Sequence, residues 1–234
     1  MTNLIILSPC KEMHTDSGNL PIQKHPYTES IVTYFASLSL SEIAHFFKVS
    51  DTLAQDILSY YQTFSWSHGN HAYKTYKGLA FRQIQWDDID RDYAQTHLRI
   101  LSALYGPIGP EQAIHPYRLD FMRPLKLQNK ALKSQWKAQF SDQFLGHTIY
   151  NLASKEFSSL LPRKHCQMID IEFYQSYPNK KASAAVAKKL RGALTSHILK
   201  HASFQQEVFE TFAFEEYQLS VFQPDQGYIH YSLS

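Results

Sequence analysis

Strand-like patterns at both ends of the chain constrain its fold more than any other feature. Residues 4–7 are a short apolar run, which Pro9 ends because proline cannot donate a hydrogen bond to a sheet. Residues 217–222 and 227–233 alternate like two strands joined by a turn. Since no repeat, low-complexity tract or Gly/Ser-rich linker divides the chain, we predict one interleaved domain over residues 1–234.

Between the two ends, helical and strand-like patterns follow each other irregularly. The spacing of apolar residues predicts helices over about 28–38, 41–48, 50–61, 90–104, 128–146 and 183–202. Strand-like runs occupy 147–152 and 167–174. Because these elements show no regular βαβ alternation, we predict an α+β fold, a single mixed α/β domain, rather than a Rossmann fold or a barrel.

The composition excludes several classes of protein. Hydrophobic residues make up 44% of the chain and charged residues 19%, which supports a sizeable core and argues against global disorder. No apolar run approaches the ~20 residues needed to span a bilayer, and residues 1–7 are too short for a signal peptide. Two cysteines argue against a disulfide scaffold. We therefore expect a cytoplasmic protein with no membrane partner.

The net charge of +2 conceals an uneven distribution. Residues 118–200 carry 15 basic and 5 acidic groups, a net charge of +10, whereas 1–117 carry −3 and 201–234 carry −5. A block of this size predicts a positive surface that attracts a polyanion. A solvated face that binds nothing specific is the alternative.

Several familiar chemistries have no motif in this sequence. It contains no GxxxxGK[ST] or GxGxxG nucleotide motif, no GxSxG elbow and no CxxC pair. Direct iron storage is disfavoured, because carboxylates are sparse in the predicted helices of residues 118–200. We therefore expect no cofactor and no metal. Cys10 is open to two interpretations, a reactive thiol beside Lys11 or an ordinary buried cysteine, and the second is favoured.

The segment 101–114 predicts a contact with phosphate. A predicted helix runs into a hairpin containing Gly106 and Gly109, and Pro110 stands where a second helix could begin. A helix-hairpin-helix of this form presents backbone N–H groups to phosphate without reading sequence. Because two residues rather than one separate the glycines, a plain turn between two helices is the alternative.

Basic residues follow this segment in two stripes. Lys126, Lys130, Lys133 and Lys137 recur at helical spacing, and Lys181, Lys188, Lys189 and Arg191 form a second set around the last predicted helix. Gly192 within that helix suggests close approach of another backbone or a ligand. The resulting candidates for binding duplex DNA through phosphates are Gly106, Gly109, Arg118, Arg123, Lys126, Lys133, Lys188, Lys189 and Arg191.

Six motifs, in order and spacing, resemble the YaaA peroxide-stress protein family. They are Leu7–Lys11, Tyr76–Leu79, His97–Gly106, Pro116–Asp120, Asn151–Phe157 and Lys188–Gly192. The resemblance implies a mixed α/β domain with a helix-hairpin-helix element and a positively charged cleft. It also implies a cytoplasmic protein that binds double-stranded DNA without sequence specificity and limits damage from peroxide and loose iron. Cys10 stands where the family usually has Ala, which fits a divergent paralogue.

An enzyme acting on a small anionic substrate is the second hypothesis. Polar residues of the motifs would line its pocket: Ser8, Lys11, Tyr76, Tyr117, Arg118, Asp120, Asn151, Ser154 and Glu156. Arg118 or Arg191 would clamp the anion, and the catalytic candidates are Lys11, Ser8, Tyr117 and Glu156. A buried polar network that fixes the packing is the alternative, and a ligand-free scaffold is a third.

Overall fold

The computed structural model describes residues 2–16, 18–127 and 129–233. Its helices are α1 (Pro26–Ala36), α2 (Leu40–Phe47), α3 (Asp51–Gln62), α4 (Ala72–Thr75), α5 (Arg91–His97), α6 (Leu132–Phe144), α7 (Lys155–Ser158), α8 (Ala184–His201) and α9 (Gln206–Glu210). Its strands are β1 (Asn3–Leu7), β2 (Asn70–His71), β3 (Leu98–Ser102), β4 (Gly106–Ile108), β5 (Ala113–Ile114), β6 (Lys126–Leu127), β7 (Lys130–Ala131), β8 (Thr148–Asn151), β9 (Gln167–Ser176), β10 (Lys180–Lys181), β11 (Tyr217–Gln223) and β12 (Tyr228–Leu233).

Strand β1 lies at the centre of the main sheet, whose order is β11-β12-β9-β8-β1-β3-β4. It pairs in parallel with β3 on one side and with β8 on the other. All of its residues from Leu4 to Leu7 are buried, as expected of a parallel strand covered on both faces. The edge strands β4 and β11 run antiparallel to their neighbours. The predicted mixed α/β fold class is confirmed, and both ends of the chain contribute strands to one sheet.

The strand order reverses direction at β1. The chain passes from β1 to β3 and β4 on one side of the sheet, and later adds β8, β9, β12 and β11 on the other side. The crevice between the carboxyl ends of β1 and β8 is therefore a topological switch point. In open sheets with parallel strands, ligands bind in this crevice because the loops after the two strands diverge there.

The capping residues explain where the first helices begin. Asp90 accepts the N–H of Tyr93 at 2.9 Å and starts α5, as predicted. Ser50 caps α3, and Ser39 caps α2. His25 caps α1, which begins at Pro26, two residues before the predicted start at residue 28.

The helix predicted to run from residue 90 to residue 104 is wrong beyond His97. Residues 98–102 form β3, which pairs with the buried strand β1 and is buried almost throughout. The mostly apolar residues 98–102 are therefore suited to a buried strand next to β1. Pairing with β1 determines their structure, although their spacing also fits a helix.

The helix-hairpin-helix element is wrong for the same reason. Gly106 has the left-handed conformation expected of it, with φ of 77°, but it starts β4 in an antiparallel hairpin with β3. A Cβ at Gly106 would lie 2.6 Å from Cζ3 of Trp136, so the glycine lets α6 pack closely against this hairpin. The side chain of Gln95 packs against Gly109, where an added Cβ would lie 2.4 Å from Oε1 of Gln95. Both glycines are buried, so neither presents its N–H group to a phosphate.

The first lysine stripe does not share a helical face. Lys126 and Lys130 lie on β6 and β7, which form a short antiparallel hairpin. Only Lys133 and Lys137 lie on α6, because this helix begins at Leu132. The predicted start of the helix, Gln128, lies outside the described residues.

Gly192 permits the close approach that its position in α8 suggests. A Cβ at this position would overlap the backbone carbonyl of Ala80. Helix α8 therefore packs directly on the segment that follows α4, and it brings the side chains of its preceding turn to the crevice at the switch point.

We predict that Gly192→Ala destabilises the protein by about 2 kcal/mol in urea unfolding. Overpacking typically costs ~1–3 kcal/mol, and here the obstructing atom is backbone that cannot rotate away. The change otherwise favours the helix by ~1 kcal/mol, so a variant as stable as the wild type would contradict the packing. The control Ala187→Gly on the same helix should lose only ~1 kcal/mol.

Candidate functional site

A cavity of about 450 Å³ opens at the switch point. The loop after β1 and the segment after β8 form two of its walls, and α8 closes a third side. Its lining comes from residues 7–12, 78–81, 118–120, 152, 154, 156, 157, 188 and 191. Five of the six sequence motifs supply most of this lining, so the fold brings together residues that lie up to about 180 positions apart.

Two serines join the loops after β1 and β8. The Ser8 hydroxyl donates to Oγ of Ser154 at 3.2 Å, and the backbone N–H of Ser154 donates to Ser8 Oγ at 2.8 Å. Both residues line the cavity, as predicted. The pair fixes the width of the crevice while leaving hydroxyl groups at its surface.

Lys11 and Asp120 form an ion pair at the cavity wall, with Nζ 3.2 Å from Oδ2. Asp120 also accepts the N–H of Met122 at 3.1 Å and lies 3.8 Å from Nε of Arg123. Its carboxylate is thus fully engaged in binding neighbours. Lys11 is an ion-pair partner here, so the geometry does not favour its predicted catalytic role.

Glu156 is the second carboxyl group that faces Lys11 across the cavity. Burial raises the pKa of Glu156 above its ordinary value, and the nearby Asp120 carboxylate adds to this effect. The Phe121 N–H donates to Oε1 at 2.9 Å and opposes the shift without cancelling it. Its raised pKa makes Glu156 a candidate for exchanging a proton with a ligand in the cavity.

Three cationic side chains line the cavity without a carboxylate partner. Among the described residues, none forms an ion pair with Arg118, Lys188 or Arg191. Burial lowers the pKa of Arg191, and its buried Nε has no hydrogen-bond partner within the described part of the chain. A buried guanidinium N–H without an acceptor is costly, so the arrangement favours an incoming anion.

The backbone of Arg118 is held rigidly from beneath. Its carbonyl accepts the Tyr61 hydroxyl at 2.8 Å, which ties it to α3. The preceding residue, Tyr117, is buried and bonds to Ser102 at 2.7 Å and to Tyr76 at 2.9 Å. Arg118 therefore projects into the cavity from a fixed point.

Three predicted pocket residues do not line the cavity. Tyr76 and Tyr117 belong to the buried hydroxyl network beneath it, and burial raises the pKa of both. Asn151 accepts the N–H of Ala153 at 3.0 Å and donates to Asp170 at 2.6 Å, so it shapes the turn after β8. For these residues the alternative interpretation, a buried network that fixes the packing, describes the structure.

Most of the predicted DNA contacts lie away from the cavity. Arg123 donates to the Phe46 carbonyl at 3.4 Å, and Lys189 pairs with Glu215 at 3.7 Å. Lys126 and Lys133 are exposed on β6 and α6, and Lys133 donates to Ser159 just beyond α7. Of the nine candidates, only Arg118, Lys188 and Arg191 line the cavity.

Cys10 belongs to the lining, which the pocket prediction missed. Its thiol donates to the Glu12 carbonyl at 2.9 Å and accepts the Gly78 N–H at 3.2 Å. Burial raises the pKa of Cys10 to about 11. A Cβ on Gly78 would lie 2.5 Å from the Cβ of Cys10. The absence of a side chain at Gly78 therefore lets its motif pack directly against the motif that contains Cys10. The ordinary-cysteine interpretation fits this geometry.

The pocket prediction also missed residues 79–81. Two sequence features could have indicated them, the Tyr76–Leu79 motif and the glycine within α8, which suggested close approach of another backbone.

No group of three or more His, Cys, Asp or Glu side chains is placed to hold a metal ion within residues 2–16, 18–127 and 129–233. In that same part of the chain, every helix is too short or too polar to cross a bilayer.

Comparisons with known proteins found similar sequences over most of the chain. The family model described as Peroxide stress protein YaaA matches residues 3–221, which include every segment of the cavity lining. A UPF0246 protein of Streptococcus pneumoniae strain P1031 is 30% identical over 206 residues, covering 84% of this chain and 85% of the relative. The UPF0246 protein spr1405 of Streptococcus pneumoniae strain R6 matches with the same identity and coverage.

We predict that Cys10 reacts slowly with iodoacetamide at pH 8 in a Cys166→Ser background. A pKa of about 11 instead of 9.0 lowers the thiolate fraction by about 100-fold. The rate should rise until pH 11 in the folded protein, and urea should restore ordinary reactivity. A half-maximal rate below pH 9 in the folded protein would contradict the assignment.

We also predict that Glu156→Gln raises the melting temperature at pH 8 by about 1–3 °C. Because its folded pKa is raised, Glu156 stabilises the fold fully below its ordinary pKa and loses this contribution as the pH rises through the folded value. The difference should therefore vanish near pH 3.5. The control Glu12→Gln, which removes an exposed carboxylate paired with Arg82, should give no gain at pH 8.

Proposed function

The chain belongs to the YaaA peroxide stress protein family, and from this premise we propose that it binds double-stranded DNA through phosphates at the mouth of the cavity. The observation that carries the proposal is the meeting of Arg118, Lys188 and Arg191, cations that form no ion pair with a carboxylate among the described residues. Contacts to phosphate carry no sequence information, so binding is expected to be non-specific. The role proposed is protection of DNA in the cytoplasm under oxidative stress.

Displacement of cations gives this role a physical basis. DNA phosphates hold a layer of condensed counterions, and a protein that places Lys or Arg side chains on them releases those ions. Iron held at the backbone would be released in the same way, so its reaction with peroxide would take place away from the DNA. The protein then limits iron and peroxide damage without binding iron itself.

Exposed lysines outside the cavity would extend the contact. Lys126, Lys130 and Lys137 are exposed and have no ion-pair partner among the described residues. They add long-range attraction for a polyanion but no defined geometry. The cavity cations are therefore expected to dominate the short-range part of the binding.

We predict that Lys188→Ala weakens binding of a 20-base-pair duplex, measured by fluorescence anisotropy across a salt series. Losing one phosphate contact should reduce the slope of log K against log salt by about 0.9. Lys189→Ala is the matched control, because the neighbouring lysine already pairs with Glu215. Equal losses in both variants, or no binding by the wild type at low salt, would contradict the proposal.

Turnover of a small anionic substrate is a second candidate function, favoured by Glu156. This carboxyl group has a raised pKa and lines the same cavity as Arg118 and Arg191. The two guanidinium groups would hold the anion, and Glu156 would move a proton. In this case Glu156→Gln should abolish turnover and leave duplex binding intact.

A further inference from the structure

Much of the cavity lining is apolar, which a contact with backbone phosphate does not require. Besides the three cations, its walls include the apolar side chains of Leu7, Leu79, Phe81, Leu119, Leu152 and Phe157. A phosphate on the outside of a duplex would leave this apolar surface without a partner. The apolar interior therefore points to a ligand with an uncharged body attached to its anionic group.

We propose that the cavity receives a single nucleotide unit, with its base in the apolar interior and its phosphate at Arg118 and Arg191. This inference rests on the proposed function and deepens it, because it assigns the interior of the same site. A volume of about 450 Å³ falls in the range of pockets that enclose small organic ligands. The Phe81 and Phe157 side chains provide aromatic surface for a planar base.

Polar groups stand where the edge of a base needs hydrogen-bond partners. The hydroxyls of Ser8 and Ser154 face the cavity from the two strand ends. Glu156 also lines the cavity, and its Oε1 accepts the Phe121 N–H at 2.9 Å. Carboxyl oxygens accept hydrogen bonds from the exocyclic amino groups and ring N–H groups of a base. Pockets that bind a specific ligand typically have an apolar lining with a small number of fixed polar groups.

A base that is stacked within a duplex cannot enter this cavity. The unit must come from an unpaired nucleotide in DNA, which leaves the stack at low cost, or from a free nucleotide. Both sources offer the same chemistry, a planar base joined through a sugar to a phosphate. The experiment therefore needs one arm for each source.

The DNA arm measures anisotropy with a labelled 20-base-pair duplex and with the same duplex carrying one central unpaired nucleotide. The wild type should bind the second duplex about 10-fold more tightly, because it adds burial of one base. Leu79→Trp, which fills the cavity, should abolish this ratio. Leu145→Trp, at a side chain that is 61% exposed and lies outside the cavity, should preserve it.

The free-nucleotide arm uses isothermal titration of the wild type, so it does not depend on whether Leu79→Trp folds. Deoxyadenosine monophosphate should bind at least about 10-fold more tightly than inorganic phosphate, which has the charge without the base. If deoxyadenosine monophosphate binds more tightly than phosphate but the two duplexes bind equally, the cavity is assigned to a free nucleotide. Equal affinities in both arms would overturn the inference, whereas loss of binding to both duplexes would overturn the DNA proposal itself.

Discussion

Parallel pairing on both edges of β1 holds this strand at the centre of the sheet, with Ile5 and Ile6 completely buried. Because β3 joins on one side and β8 on the other, the segments that follow β1 and β8 diverge over a common crevice. The Ser8–Ser154 hydrogen bonds then set the distance between these segments. An edge position for β1 would remove the crevice, and with it the framework that brings the motifs together.

Folding redistributes the positive charge that the sequence concentrates in residues 118–200. Part of it is neutralised locally, by Asp170 on Arg163 and by Glu172 on Lys181. Arg118, Lys188 and Arg191 are brought to one cavity with no such partner among the described residues. The fold therefore places part of the unpaired positive charge at one site, where the partial burial of Arg118 and Arg191 strengthens their attraction for an anion.

The sequence predicted elements best where one local pattern decided the structure. The strands at both ends of the chain and the helix over 184–201 follow directly from alternation and from helical spacing. The segment 98–108 was predicted wrongly, because a fully buried strand and a helix share the same apolar composition and only pairing with β1 separates them. The candidate site was likewise predictable only in part. Motif residues that flank strand ends, such as Ser8, Ser154 and Glu156, line the cavity, but nothing in sequence order shows that Tyr117 lies below it while Lys188 faces it.

Hydrogen–deuterium exchange with and without duplex DNA tests most directly whether the switch-point cavity is the functional site. The account predicts that DNA slows exchange in residues 8–12, 78–81, 118–120 and 152–157, and in the turn of α8 that carries Lys188. Slower exchange confined to the lysine-bearing segment 126–137, with the cavity segments unchanged, would contradict it.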